Sequence, residues 1–331
     1  MNLYILPLTP AWQQAVVALY NRVCASLPLP YGRQMAENYL QKRLFDSALW
    51  PGDASRLLLT ADGQLLGAVL ANRLANPLLT PSNRLQLHWL GIDPAWQRQG
   101  LATLLWQSLC RETKAAGQLE IISALHWNGI WPGIVQGLTS METFVSQSGG
   151  RWQPGELFLQ CNVNASSWQQ SLPHSPLSGV KINQYQLYHA NGLRDLLQKH
   201  FSIGWQHETL SRVDPSYEPF NGYGLATTYC TEQPGRDVWI VEAASEVVGF
   251  CIVQPGPEKM AFFGPIGLRP HWRKQGLGRH LLHTATAHAR ALGCATMGLW
   301  TSQPLSEGFY LPLGMQKGGE SRYALWSLGE G

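Results

Sequence analysis

The sequence is poor in charged residues and has no apolar run long enough to cross a membrane. Charged residues make up 14% of the 331 residues, and the formal net charge is +3. Without a clustered basic stripe, this small charge gives no reason to expect nucleic acid or a membrane surface as a partner. No stretch approaches the roughly 18 consecutive apolar residues of a membrane span.

Cysteine pairs and a secretory leader are also missing. The six cysteines are scattered, with no Cys-x-x-Cys pair, at Cys24, Cys110, Cys161, Cys230, Cys251 and Cys294. This scatter is typical of reduced thiols, and residues 1–5 have no charged leader of a secretory signal. Together these absences predict a cytoplasmic protein.

What the sequence does have is enough apolar residues for two cores. Hydrophobic residues reach 45%, with 14 tryptophans, which indicates a compact globular protein and not a disordered one. A chain of 331 residues ordinarily holds two domains, each large enough to bury its own core.

One short pattern occurs twice, about half a chain apart. The copies are WQRQGLA at 96–102 and WRKQGLG at 272–278, and each follows an apolar run that ends in a proline turn. Helical periodicity begins after each glycine. Glycines let the backbone approach an anion, and the N–H groups of the turn and the helix start converge on it. Each copy therefore predicts a phosphate site, although packing alone can also place a glycine between a strand and a helix.

The predicted elements repeat in the same order in both halves. In the first half, strands are predicted at 3–8, 56–60, 65–70, 84–92, 120–125 and 155–163, and helices at 11–24, 34–45 and 101–116. In the second half, strands are predicted at 181–184, 238–243, 247–254, 260–268, 296–300 and 322–326, and helices at 190–201 and 277–292. A linker with serines and prolines falls at 164–178. The pattern indicates an internal duplication of one α+β unit.

Both copies of the motif lack the Gly-Lys-Ser/Thr of a Walker loop and the three spaced glycines of a dinucleotide fingerprint. Each is instead Gln/Arg-x-x-Gly-x-Gly/Ala beyond a predicted strand, which resembles the acetyl-coenzyme A signature of the GNAT superfamily of N-acetyltransferases. The second copy is a close match, and the family permits both Gln97 and Ala102 of the first. The likeness covers nearly the whole chain. The chain as a whole resembles tandem members of the family such as mycothiol synthase.

The resemblance implies an α+β fold of two tandem GNAT-like domains, at 1–165 and 179–331. Each is expected to be a mixed, mostly antiparallel twisted sheet flanked by helices. Acetyl-coenzyme A is implied as the co-substrate, with its pantetheine arm along the strand before the turn and its diphosphate on the turn amides, and no metal is implied.

The same resemblance implies which residues bind the cofactor. In the second half they are Ile266, Leu268, Arg273, Lys274, Gln275, Gly276, Leu277, Gly278, Arg279 and Gln303. In the first half they are Leu90, Ile92, Gln97, Arg98, Gln99, Gly100, Leu101 and Ala102. Gln303 departs from the asparagine that the family often has at this place.

Residues 308–315 resemble the family's Phe-Tyr-x-x-x-Gly-Phe segment, whose tyrosine is the general acid. The resemblance assigns Tyr310 to protonating the departing thiolate, although a tyrosine there can also simply pack against the sheet. The corresponding residue of the first half is Val145, which has no proton to give. The first half is therefore expected to be catalytically degenerate, and either to shape the acceptor site or to retain a cofactor without turnover.

The sequence leaves the general base open. His88 lies on the strand before the first turn, where some relatives carry a basic histidine, but a single histidine on a strand is also commonly structural. Gly264 takes its place in the second half, where the options are Glu258, Glu208, His207 or a water chain. Residues 205–220 are aromatic and acidic, which suits an amine acceptor pocket or an ordinary surface loop.

Three histidines, His280, His283 and His288, lie on the helix predicted after the second turn. His280 and His283 have the i, i+3 spacing of a metal pair, but no third ligand is near in sequence. Solvent-facing histidines are therefore predicted here, and no metal site.

The resemblance implies an N-acetyltransferase that moves an acetyl group from acetyl-coenzyme A to a primary amine of a small molecule or peptide by direct attack. We expect a monomer or homodimer that acts without nucleic acid or a membrane. Two other functions stay open: an acyl-coenzyme A sensor or binding module without turnover, and an acyltransferase for a longer acyl group or an aminoacyl carrier.

Overall fold

The computed structural model describes residues 2–25, 54–73, 84–123, 133–169, 177–214, 235–256 and 259–329, together with the single positions 27, 35, 40 and 45. Most of the helix predicted at 34–45, the candidate base Glu258 and residues 217–220 lie outside these ranges. Within them the chain forms two compact units, one of residues 2–155 and 321–329 and one of residues 156–320. None of the helices in these ranges is long and apolar enough to cross a membrane.

Helices and strands are numbered in chain order. The strands are β1 (Leu3–Pro7), β2 (Arg56–Thr60), β3 (Leu65–Arg73), β4 (Arg84–Ile92), β5 (Glu120–Ser123), β6 (Ile134–Val135), β7 (Arg151–Gln153), β8 (Leu157–Asn162), β9 (Val180–Gln184), β10 (Val238–Ala243), β11 (Glu246–Pro255), β12 (Met260–Leu268), β13 (Thr296–Thr301) and β14 (Gln316–Ser327). The helices are α1 (Gln13–Cys24), α2 (Leu101–Ala115), α3 (Thr139–Gln147), α4 (Ser166–Gln169), α5 (Ala190–His200), α6 (Ile203–Val213), α7 (Leu277–Ala291) and α8 (Gln303–Leu305).

The first unit is a sheet in the order β1–β2–β3–β4–β5–β14, with β6 and β7 also paired to β14. Among its described strands, only β4 and β5 run parallel. Helix α2 buries Leu101, Leu105 and Leu109 in the core beside this sheet, because these residues recur on one face of a helix. Burial of each such side chain stabilises the fold by about 1.5–3 kcal/mol.

The second unit repeats this plan in the order β9–β10–β11–β12–β13–β8–β14, with β12 and β13 as its parallel pair. One core contains α7 residues with Val241 and Cys251, and another contains α5 and α6 residues with Ile240 and Phe250. Since neighbouring strand residues point to opposite faces, α7 covers one face of the sheet, and α5 and α6 cover the other. The fold is α+β, a mixed sheet flanked by helices, as predicted.

The strand predicted at 155–163 was expected to close the first half, but the structure places it elsewhere. This strand, β8, lies in the second unit between β13 and β14. The end of β14, from Ser321, pairs with β5, β6 and β7 in the first unit. The compact units therefore do not divide at the linker 164–178. Periodicity shows which face of a strand is buried but not which strand is its partner.

Because β8 is an inner strand of the second sheet, we expect a fragment of residues 179–331 to lose cooperative folding. It lacks Phe158, Leu159, Cys161 and Val163, all of which are buried, and leaves β13 with an open edge. A fragment of residues 156–331 restores this strand and serves as the matched control. Circular dichroism during thermal unfolding compares the two, and equal cooperative melting of both fragments would contradict the assignment of β8.

Candidate functional site

Each copy of the repeated motif forms the same turn after a strand. A single 3-10 turn, Pro94–Trp96 or Pro270–Trp272, follows the strand. Gln97 then donates from Nε2 to the carbonyl of Ile92 at 3.0 Å. In the second copy Arg273 donates from Nε to the carbonyl of Leu268, also at 3.0 Å. The residue after the motif tryptophan, Gln97 or Arg273, therefore ties the turn to the end of its strand in both units.

Both turns contain two residues with left-handed backbone. Arg98 and Lys274 have φ of 63° and 60°, and Gly100 and Gly276 have φ of 77° and 84°. A non-glycine residue in this region is uncommon and costs about 1–3 kcal/mol. Its recurrence at matching places shows that the turn conformation is built into both units. Turns with left-handed residues can direct several N–H groups toward one point, which favours an anion there.

The helices that follow begin without a side-chain cap. Gly276 is the N-cap of α7, and the first helical hydrogen bond runs from the His280 amide to the Gly276 carbonyl at 3.2 Å. The amides of residues 277–279 precede this bond and so have no acceptor within the helix. In α2 the Leu104 amide likewise bonds the Gly100 carbonyl at 3.1 Å. These ends carry the positive pole of the helix dipole and suit a phosphate.

The residues predicted to bind the cofactor have the same exposure in both copies. Exposed residues are Arg273, Lys274, Gln275, Gly276 and Arg279 in the second, and Gln97, Arg98, Gln99 and Gly100 in the first. Buried residues are Leu268 and Leu277, matched by Ile92 and Leu101, and half-buried ones are Ile266 and Gly278, matched by Leu90 and Ala102. Gln275 turns its amide back to the His271 carbonyl at 2.6 Å.

Gly278 lies directly against the ring of Phe309. A Cβ added at Gly278 would be 3.1 and 3.2 Å from two atoms of that ring, so a side chain here would push the ring away. Gln303, the last predicted cofactor residue, starts α8, is exposed and donates to Glu307 Oε1 at 2.9 Å. Its amide is thus already engaged within its own segment.

The parallel strands before and after the helix separate in the second unit. β12 and β13 pair only from Met260↔Thr296 to Phe262↔Gly298, although β12 continues to Leu268. Beyond Phe262, that edge of β12 has no neighbouring strand among the described residues. Its N–H and C=O groups therefore need another partner, and an extended ligand can pair with such an edge.

Both strands carry a one-residue bulge at the same place. In β4 the register with β3 skips His88, and in β12 two residues, Gly264 and Pro265, oppose one residue of β11. Gly264 has φ of 117°. His88 is buried, and its Nε2 lies 2.8 Å from Oδ1 of Asn72. The histidine is thus held within the core, which favours its structural interpretation.

Tyr310 lies in a π-helical turn, Ser306–Tyr310, in which the Leu311 amide bonds the Ser306 carbonyl. Such turns are rare and often occur at functional sites. The tyrosine is 4% exposed, and its ring meets Phe263 edge-on with centroids 6.5 Å apart. Phe263 directly follows the paired part of β12, so Tyr310 lies where β12 and β13 begin to separate. Burial raises the pKa of its phenol well above the ordinary value.

Val145 occupies the matching position in the first unit. The amide five residues after it, on Gly150, bonds the Val145 carbonyl at 2.8 Å, as the Met315 amide bonds the Tyr310 carbonyl at 3.2 Å. A glycine with positive φ, Gly149 or Gly314, precedes each donor. Val145 is fully buried in α3.

The prediction of solvent-facing histidines on α7 was wrong. His280, His283 and His288 are half-buried; the His283 ring lies 5.0 Å from that of Trp168, and the His288 ring 5.4 Å from that of Trp239. Burial lowers the pKa of all three, which favours neutral rings. The aromatic neighbours, Trp168 and Trp239, come from distant segments, so the pattern along α7 could not predict them.

The other candidates for the general base in the described part are Glu208 and His207. Glu208 is half-buried on α6, with Oε1 3.9 Å from Nη2 of Arg212. His207 also lies on α6, but its side chain is outside the described part. No group of three metal-ligating side chains occurs in the ranges that the structure describes.

Comparison with protein families finds the same duplication. The model of the Acetyltransferase (GNAT) family matches the chain twice, at residues 16–128 and 190–315. Comparison with curated proteins finds no match in sequence.

Solved structures include several of this fold over the whole chain. A GCN5-related N-acetyltransferase from Sphaerobacter thermophilus is 16% identical, with a TM-score of 0.65 over 99% of this chain and 96% of that one. A tandem GNAT protein from the clavulanic acid biosynthesis pathway is 13% identical, with a TM-score of 0.69 over 100% of both.

A third likeness is to part of a larger protein. It is the GCN5-related glucosamine N-acetyltransferase region of a fungal multi-domain GH3 beta-N-acetylglucosaminidase, 13% identical with a TM-score of 0.72. The match covers 98% of this chain but only 38% of that one. At these identities, the likeness to all three structures concerns the fold alone.

Because burial raises its pKa, Tyr310 should stay protonated as the pH passes the ordinary tyrosine value of about 10. We expect the ultraviolet titration of tyrosinate to be the same for the wild type and Tyr310→Phe up to about pH 10.5, and to differ only above it. Loss of a titration step near pH 10 in the variant would show that the phenol is solvated.

Proposed function

Because the chain belongs to the GNAT acetyltransferase family, we propose that it transfers an acetyl group from acetyl-coenzyme A to a primary amine of a small molecule or peptide, and that the second unit does the chemistry. The observation that carries this proposal is the edge of β12 that no described strand pairs beyond Phe262, with the amides of the turn at its far end and Tyr310 at its near end. The residues present fit an elongated molecule with an anionic end.

In the proposed complex, the backbone of Ile266 and Leu268 pairs with the pantetheine arm. The amides of Gly276, Leu277 and Gly278 bind the diphosphate, while Lys274 and Arg279 add positive charge from exposed positions. Arg273 uses its Nε on the strand and so contributes mainly to holding the turn. The bound molecule supplies an activated acetyl carbonyl, and the protein fixes where that carbonyl lies.

The reaction is direct attack of the amine nitrogen on the thioester carbonyl. The new C–N bond forms, the C–S bond breaks, the amine loses a proton to a base, and the sulfur gains one. Tyr310 is the proposed donor of that second proton, because it lies where the strands separate. Its raised pKa keeps the proton on the phenol, and the same burial raises the pKa of a departing thiol, which keeps the transfer from being strongly uphill.

We propose that the first unit does not turn over. It has the same turn, the same bulge and the same bond from Gln97 to its strand, but Val145 offers no proton. Such a unit can hold a coenzyme A molecule or shape the acceptor site. We also propose a cytoplasmic location, since each of the cysteines in the described part is unpaired.

Replacement of Tyr310 by phenylalanine separates catalysis from sensing. We expect kcat to fall by about 10²–10⁴-fold, as for loss of a general acid, with the Kd of coenzyme A unchanged. Tyr185→Phe is the matched control, because Tyr185 is also buried in the second unit but packs in the core under α5 and α6. An unchanged kcat in Tyr310→Phe would remove Tyr310 from the mechanism, and an absence of turnover in the wild type would favour a sensor.

Replacement of Gly276 by leucine tests the diphosphate position. Gly276 and Gly293, at the two ends of α7, have φ of 84° and 77°, so leucine at either should cost about 1–2 kcal/mol of stability. Only Gly276→Leu should abolish coenzyme A binding in the second unit, since its side chain would fill the anion position. Calorimetric titration compares the two variants; equal affinities would contradict this placement.

A further inference from the structure

The outermost described strand of the first sheet, β1, has a neighbouring strand on one side. It stands at the end of the strand order and pairs antiparallel with β2 from Leu3↔Thr60 to Pro7↔Arg56. No other strand in the ranges that the structure describes pairs with it. The open side of an edge strand presents unpaired N–H and C=O groups, and these groups can pair with another chain.

The pairing with β2 shows which backbone groups face the open side. The Leu8 amide donates to the Ser55 carbonyl at 3.0 Å, and these two residues stand opposite each other just beyond the end of the ladder. In an antiparallel pair, positions that bond the neighbouring strand alternate with positions whose groups point away from it. Leu3, Ile5 and Pro7 therefore direct their backbone groups to the open side. Because proline has no N–H, this side offers two donors and three acceptors.

The side chains of β1 divide between the core and the solvent. Leu3 and Ile5 pack against the core that contains the α2 residues. Since side chains alternate along a strand, Tyr4 and Leu6 point to the other face. Tyr4 is 51% exposed and Leu6 is 42% exposed. The two solvent-side positions inside this edge strand are therefore large and apolar, and no residue of the strand carries a charge.

The second unit supplies a comparison, because its edge strand β9 is built in the same way. The Tyr185 amide, just after β9, donates to the Val238 carbonyl at 2.8 Å. This bond matches the one that the Leu8 amide makes just after β1. Both Tyr185 and Leu8 are buried. The strands β1 and β9 can therefore be matched residue by residue, counting back from these two bonds.

The matched positions carry different kinds of side chain. Lys181 and Asn183 of β9 take the places of Tyr4 and Leu6 of β1. A lysine on an edge strand is a common means of preventing that edge from pairing with another chain. The second edge is thus protected in a way that the first is not, although the backbone plan is the same. This difference indicates that the first edge is the one used for pairing.

We propose that β1 is the interface between two copies of this chain, and that the two β1 strands pair antiparallel about a two-fold axis at Ile5. In this register Ile5 of one copy exchanges two hydrogen bonds with Ile5 of the other, and each Leu3 amide donates to the opposite Pro7 carbonyl. Each end of the ladder loses one bond, because proline has no N–H to return. Tyr4 of each copy then stands opposite Leu6 of the other, so the exposed side chains of both copies gain an apolar neighbour.

A second copy suits this edge because the edge is complementary to itself. The two-fold axis places the donors of one strand opposite the acceptors of its copy, and such a contact closes as a dimer. A symmetric pairing brings the charges of an edge close to those of its copy, where like charges destabilise it, and β1 carries none. A strand of five residues forms a small interface. We therefore expect a reversible dimer whose fraction rises with concentration.

Analytical ultracentrifugation of the untagged full chain over about a hundredfold range of concentration tests the dimer. We expect the wild type to pass from monomer to dimer as the concentration rises. The double variant Tyr4→Lys/Leu6→Asn gives the first edge the outward side chains of the second, and should raise the Kd of the dimer about tenfold or more. The Tm of the dilute monomer should hardly change, because both positions are exposed. The matched control is Leu187→Lys, since Leu187 is 81% exposed but lies outside the strands.

Three results of this experiment would overturn the proposal. The first is a wild type that stays monomeric at every concentration. The second is a dimer that is as stable in the double variant as in the wild type, because its interface would then lie elsewhere. The third is an equal loss of the dimer in Leu187→Lys, because the association would then depend on exposed apolar surface in general and not on β1.

Cross-linking tests the register. In the proposed dimer Tyr4 and the opposite Leu6 form a non-hydrogen-bonded pair, whose Cα atoms lie about 4.5 Å apart and within reach of a disulfide. We expect a mixture of the variants Tyr4→Cys and Leu6→Cys, oxidised with oxidised glutathione, to give a cross-linked dimer in much higher yield than either variant alone or the wild type. Equal yields from the mixture and from either variant alone would contradict the two-fold axis at Ile5.

Hydrogen exchange shows whether something other than a second copy occupies the edge. The amides of Leu3 and Ile5 should exchange slowly only at concentrations at which the dimer forms. Slow exchange of both amides in a monomer, at every concentration, would place another segment of the same chain on this edge and would overturn the proposal.

Discussion

The second unit depends on a parallel ladder that ends after three residue pairs. β12 continues beyond this ladder and remains held on its other side by β11, so the strand stays in place although its far part has no second neighbouring strand among the described residues. An edge of unpaired N–H and C=O groups requires a partner. Tyr310, buried beside Phe263, and the exposed turn at Gly276 lie at the two ends of this edge, and the proposed reaction uses both of them.

The duplication shows which features belong to the scaffold and which belong to the chemistry. The left-handed residue at Arg98 or Lys274 and the skipped register at His88 or Gly264 occur in both units. These are properties of the backbone and tolerate different side chains. The residue at the matched position after the helix is different: it is Tyr310 in one unit and Val145 in the other. One backbone plan thus supports two units of unequal chemical capacity.

The sequence predicted best where a local signal was strong. The bounds of β4 and β12 agree with expectation, since each is an apolar run closed by a proline turn. β14 was predicted at 322–326 but spans Gln316–Ser327. Its first half was missed because Lys317 and the two glycines after it interrupt the apolar pattern that predicts a strand. The placement of β8 depends on a partner far away in sequence.

The placement of the end of β14 in the first sheet bears on the order in which the chain can fold as it is made. The first sheet includes β14 from Ser321 onward, next to β5, so about two hundred residues separate these neighbours along the chain. Synthesis proceeds from the N-terminus at about 5–20 residues per second. The first unit must therefore wait, with an incomplete sheet, until residues 321–327 have been made. A contact of such separation is slow to form, and loss of residues 321–327 would remove a strand from the sheet of the first unit.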